Sequence, residues 1–137
     1  MKYLLDTNLV SQLIKAKAEP GVLEWFDEQD EGGLFLSAVT ILELRTGIEL
    51  MPAGKKRTVL EHWLTRDIRS RFAGRILPIE EKIADACGRL LVRSQRAGWR
   101  MEAMDALIGA TAMAHDMTLA TLNRRHFERL DLEMVEF

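Results

Sequence analysis

Three acids carry the chemistry open to this sequence. Asp6 ends the short apolar run Tyr3-Leu4-Leu5, Glu43 closes Thr40-Ile41-Leu42-Glu43, and Asp105 precedes the small-residue stretch Ala106–Ala114. An amide, Asn123, follows Thr118–Thr121. Gathered at one sheet edge, three carboxylates repel one another strongly unless a cation lies between them. Hard oxygen donors of this kind select Mg²⁺ or Mn²⁺. Such a site activates a water and supports in-line displacement at phosphorus. Each acid also has a purely structural use. Asp6 can cap the helix that follows it. Thr40 and Glu43 fit the S/T-x-x-E capping box, in which the glutamate bonds back to the cap's amide. Asp105 can be an acid favoured in a first helical turn by the dipole. Spacing alone leaves both uses open for all three.

The elements that must position these residues can be read in order. Tyr3–Leu5 is a buried strand stopped by an acid. Thr7 or Asn8 can cap a helix whose stripe is Leu9, Val10, Leu13 and Ile14. Pro20 suits the first turn of a second helix bearing Val22, Leu23, Trp25 and Phe26, and Gly32-Gly33 breaks it. Leu34–Ser37 reads as a second strand. A helix then runs from Thr40 towards Met51 with Ile41, Leu44 and Ile48 at helical spacing, which puts Glu43 in its first turn. Lys55–Phe72 reads as one long helix and Arg75–Ile79 as a brief strand. Glu80–Ala97 is amphipathic, with Ile83, Cys87, Leu90, Leu91 and Ser94 on one face and Gly98 as its cap. Asp105 is expected to begin a helix over Ala106–His115. Thr118–Thr121 is a strand, Arg124–Arg129 a helical turn and Glu133–Val135 a last strand. This alternation predicts an α/β fold with a mostly parallel central sheet of four or five strands flanked by helices. Asp6, Glu43, Asp105 and Asn123 would then meet at the carboxyl edge of the strands, where open α/β sheets bind ligands.

The bulk properties set bounds. At 137 residues the chain is expected to be a single domain spanning 1–137. A formal charge of -2 gives no overall basic signature, so any nucleic-acid binding must come from local patches. Cys87 is the only cysteine and rules out an internal disulfide, which suits a reducing cytosol. The chain enters a strand-like run at once and has no apolar stretch near the roughly 20 residues of a membrane span. A cytoplasmic protein without membrane contact is expected.

Four stretches together resemble the PIN-domain ribonucleases of bacterial toxin–antitoxin pairs, the VapC and FitB-like group. They are Leu4-Leu5-Asp6-Thr7-Asn8, Ser37–Gly47 around Glu43, Met104–Ala112 around Asp105, and Leu119-Ala120-Thr121-Leu122-Asn123-Arg124-Arg125-His126-Phe127. Phe72-Ala73-Gly74-Arg75-Ile76-Leu77-Pro78 is similar to the FitB-like branch. Order and spacing agree over nearly the whole chain. The resemblance implies a PIN-like three-layer sandwich and a toxin of a type II toxin–antitoxin module that hydrolyses RNA. It implies that Asp6, Asp105 and Glu43 bind Mg²⁺ or Mn²⁺, with Glu43 as a ligand or as the residue orienting the attacking water. Thr7, Asn8 and Thr121 would supply hydrogen bonds that fix the carboxylates. The family often has a fourth acid where this chain has Asn123; an amide offers a carbonyl oxygen without charge and so weakens the case for a second ion. Glu102 stands near a position where proline is frequent, and reads as a solvated surface residue or an outer acid. The resemblance also implies a homodimer, a cognate antitoxin lying over the active site, and higher toxin–antitoxin assemblies.

Basic residues cluster at Lys55–Arg57 with Arg66, Arg69, Arg71 and Arg75, at Arg93, Arg96 and Arg100, and at Arg124-Arg125. Position beside Asn123 favours Arg124 and Arg125 as RNA contacts; the others suit solvated helix faces. Arg45 can pair with a nearby acid. His62, His115 and His126 lack mutual metal-ligand spacing and read as structural or surface residues, Cys87 as core, and Trp25, Trp63 and Trp99 as core or interface. A second reading keeps the fold but not the cleavage: a PIN-fold binding protein acting with its antitoxin on operator DNA, favoured by Asn123 and opposed by the intact acid trio. A third, a phosphoryl-transfer enzyme or receiver domain, lacks its second aspartate after Asp6 or its acidic pair.

Overall fold

The computed structural model describes residues 1–137. Four strands form one parallel sheet in the order β3-β2-β1-β4, with β1 Tyr3–Leu5, β2 Leu34–Ser37, β3 Ile76–Leu77 and β4 Thr118–Ala120. Leu4 pairs with Phe35 on one side and Leu119 on the other. The chain steps outward from β1 to β2 to β3, then crosses back to place β4 beside β1. The order therefore reverses between β1 and β4, the kind of switch point where such sheets open a crevice. The expected last strand reduces to one parallel bridge, Leu119 to Met134.

Side chains alternate across the sheet with the period of two that a strand imposes. Leu4 and Leu119 point into one apolar cluster with Val39, Ile83, Leu90 and Ile108. Leu5, Ala120, Leu34 and Leu36 point into another with Leu9, Leu44, Trp63 and Phe72. Both faces are thus covered, which gives the expected three layers. All-apolar runs such as Leu4-Leu5 are what a two-sided parallel sheet requires. Truncating a fully buried residue such as Leu4 to alanine would cost about 2–5 kcal/mol.

The helices are α1 Thr7–Ser11, α2 Val22–Glu28, α3 Ala38–Glu49, α4 Lys55–His62, α5 Arg69–Arg71, α6 Glu81–Ala97 and α7 Ala103–Ala114. Three expectations change. The α3 helix starts at Ala38, because the Ser37 hydroxyl caps it by accepting from the Val39 amide at 3.0 Å. Thr40 therefore lies inside the helix and the capping box does not form; Glu43 falls in the second turn. The long helix from Lys55 is interrupted by a π-helical segment, Trp63–Ile68, between α4 and α5. Bonds five residues apart bring Trp63 and Ile68 to the same buried face. Finally, α7 begins two residues before Asp105. No helix is long and apolar enough to cross a membrane.

Candidate active site

Each acid arrives by a different route. Asp6 is the residue after β1 and caps α1, its Oδ1 accepting from the Thr7 amide at 2.9 Å. Its Oδ2 accepts from the Thr121 hydroxyl at 2.7 Å, across the β1/β4 crevice. Capping and site placement are thus two results of one position. Glu43 comes from α3, and its Oε1 accepts from the Thr7 hydroxyl at 2.6 Å. The Thr7 and Thr40 hydroxyls lie 3.1 Å apart. Asp105 sits in the first turn of α7. That helix leads into β4 and runs against the strand direction, so its start lies at the carboxyl edge of the sheet.

The remaining residues expected here divide. Asn8 accepts from the Leu122 amide through its Oδ1 at 3.3 Å, and the Asn123 amide donates to the Thr121 hydroxyl at 3.0 Å. Asn123 exposes its side chain and uses only its backbone in this network. Arg124 reaches the Val135 carbonyl and Glu136, while Arg125 lines a cavity beside Asp105. Glu102 is exposed at the N-cap of α7, Cys87 is buried core, and Arg45 pairs with Glu61 at 2.6 Å.

His126 is at the surface as expected, but it also meets a site acid, a contact the sequence did not show. Its Nδ1 lies 3.0 Å from Asp105 Oδ2. The packing that puts it there is local: Phe127 is fully buried, and Gly109, one turn along α7 from Asp105, leaves the space that Leu130 and Phe127 enter. A Cβ at Gly109 would meet Leu130 Cδ1 at 2.6 Å. The available signal was a polar residue beside a core aromatic, three positions after Asn123.

Burial and mutual repulsion act on the acids of the site. Asp6 is 5% exposed. Burial pushes its carboxyl above the ordinary range; the bonds from Thr121 and Thr7 oppose this, and the charges of Asp105 and Glu43 add to it. Burial also raises Asp105, with His126 pulling it down and Glu102 pushing it up. Neither Asp6 nor Glu43 takes part in any ion pair. The side chains do not close into a ready cage, since no three acids or histidines converge at ligand distance. Glu43 is turned to Thr7 and Asp105 to His126. The donor set nonetheless fits a hard divalent cation: carboxylate oxygens only, one of them buried and without a counter-charge.

The PIN-domain family model matches residues 3–133. The chain belongs to the PIN-domain family. Among individual proteins, it is 37% identical over 132 residues to VapC ribonuclease Y4jK of Sinorhizobium fredii, covering 96% of this chain and 94% of the relative. It is 36% identical over 129 residues to toxin FitB of Neisseria gonorrhoeae, covering 94% and 93%. The solved structure of FitAB bound to an IR36 DNA fragment superposes with a TM-score of 0.89 at 34% identity, covering 97% of this chain and 93% of that one.

Proposed function

We propose that the chain is a metal-dependent endoribonuclease, the toxin of a type II toxin–antitoxin module, acting as one PIN domain over residues 1–137 in the cytoplasm. The observation that carries this is Asp6: a buried carboxylate near two further acids, with no cationic partner. Asp6, Asp105 and Glu43 would hold Mg²⁺ or Mn²⁺. Bound there, the ion lowers the pKa of water and offsets charge on the phosphate. Thr121 and Thr7 fix the acids by donating to Asp6 and Glu43. Glu43, held by the Thr7 hydroxyl, would orient the attacking water. The new phosphorus–oxygen bond forms in line with the leaving oxygen, and the RNA phosphodiester is hydrolysed. Arg125, and Arg124 in part, provide positive charge beside this edge.

The cognate antitoxin would occupy a groove of about 810 Å³ that begins at Thr7 and Glu43. Its floor includes Ile48, Leu60 and Trp63, and Lys15, Lys55 and Lys56 stand on its wall. A segment with apolar anchors and acidic flanks fits that lining, and blocks Glu43 when seated. The DNA-bound FitAB structure favours a second role for the same complex, operator binding with the antitoxin. The toxin is expected to pair as a homodimer within this assembly.

The test is cleavage of a mixed RNA pool by antitoxin-free protein with Mg²⁺, Mn²⁺ or EDTA. Cutting that needs metal and disappears in Asp6→Asn is the expected result. Equal cutting by both proteins would refute the site. Metal binding without any cutting would leave the operator-binding role alone.

A further inference from the structure

Beside Asp105 the surface opens into a cavity of about 400 Å³. One wall is the Trp99–Glu102 connector between α6 and α7, and the other is the turn after Asn123. Arg100, Arg125 and Arg129 all line it. None of the three joins an ion pair, although Glu102 and Glu128 share the wall. Arg45, Arg57, Arg71, Arg89 and Arg124 are held by carboxylates and Arg75 by the Glu31 and Leu34 carbonyls, whereas Arg66, Arg69, Arg93 and Arg96 are also unpaired but stand exposed on helices; what distinguishes Arg100, Arg125 and Arg129 is that they converge in one cavity beside Asp105. Arg129 instead lies over the Trp99 ring, 5.7 Å from its centroid.

An indole with a guanidinium laid on it is a flat cationic surface. Unstacked bases of single-stranded RNA bind to aromatic faces and arginine planes, and free guanidiniums take phosphate oxygens in pairs. The cavity is in the size range of small-ligand sites, about 300–1,000 Å³. It is too small for a peptide helix, about 10–12 Å across with its side chains.

We propose that this cavity is the subsite for one nucleotide flanking the scissile bond. Its base lies against the Trp99–Arg129 pair and its phosphate between Arg100 and Arg125, which places the adjoining phosphodiester at Asp105. The inference rests on the ribonuclease reading and adds Trp99, Arg100 and Arg129 to it.

The test uses Asp6→Asn protein in EDTA and a short fluorescein-labelled single-stranded RNA of mixed sequence, followed by anisotropy across a salt series. Arg100→Ala and Arg125→Ala should each weaken binding and reduce the slope of log affinity against log salt by about 0.7. Trp99→Ala should weaken it about tenfold, within the range for loss of one stacked base, and Trp99→Phe should restore most of that. Arg66→Ala, which removes an exposed arginine of the π-helical segment outside the cavity, should change neither affinity nor slope. In the active protein, the Arg100 and Arg125 variants should raise KM more than they lower kcat. Affinity and slope unchanged in all three cavity variants would overturn the subsite and leave the ribonuclease reading standing. No RNA binding by Asp6→Asn protein at any salt would overturn both.

Discussion

Asp6 and Asp105 stand at the same sheet edge in opposite settings. Asp6 is sealed at the β1/β4 crevice and held by a hydroxyl and an amide. Its neighbour Glu43 is held by the hydroxyl of the residue after Asp6. Asp105 is more open, with 21% of its side chain exposed, and meets an imidazole that is itself 52% exposed. Arginines without carboxylate partners lie around it. On the proposed function, the contrast separates two jobs. The closed side fixes carboxylate oxygens by fold and neutral hydrogen bonds, which suits the proposed cation. The open side carries arginines without carboxylate partners, which suits the proposed anionic substrate.

Removing the buried charge should have the largest effect. Asp6 holds its proton more tightly in the folded than in the unfolded chain, so the ionised carboxylate costs stability. In metal-free protein that cost grows as pH rises from the unfolded value, about 4, through the raised folded value. As the loss of a proposed metal ligand, Asp6→Asn should lower RNA cleavage by at least about a hundredfold, beyond the range typical for outer partners of a ligand. The same variant in EDTA at neutral pH should melt higher than the parent, and its melting temperature should vary less with pH. A lower melting temperature would contradict the electrostatic part of the contrast.

Next comes the closed network. Thr121→Val keeps the shape but leaves Asp6 Oδ2 and the Asn123 amide without partners. Mn²⁺ affinity should fall about 10–100-fold, read by calorimetry. On the open side, His126→Phe should cost less, about tenfold in kcat with KM little changed, because Asp105 retains access to solvent. The smallest effect is expected outside both regions. Arg45→Ala removes partly exposed ion pairs with Glu61 and Glu49, and should leave activity unchanged and the melting temperature little changed.

Much of the closed side was legible in the sequence, since strand ends and helix starts are local. Tyr3–Leu5 and Leu34–Ser37 are bounded by their own turn and capping chemistry, and Asp6 follows directly. Glu43 was harder. Two hydroxyls, Ser37 and Thr40, could each cap α3, and only the end of β2 decides for Ser37. The π-helical turn has no local signature; it follows from Trp63, Leu64 and Ile68 all seeking one core. His126 and the Trp99–Arg129 pair were illegible for the same reason. Each depends on chain segments brought together by Gly109, Leu130 and Phe127, which spacing along the sequence does not reveal.

The most direct measurement is an electron paramagnetic resonance titration of metal-free protein with Mn²⁺, beside Asp6→Asn and Arg125→Ala. The closed side as metal holder requires saturable binding by the parent and by Arg125→Ala, and loss of binding in Asp6→Asn. Equal Mn²⁺ binding by Asp6→Asn and the parent would contradict it.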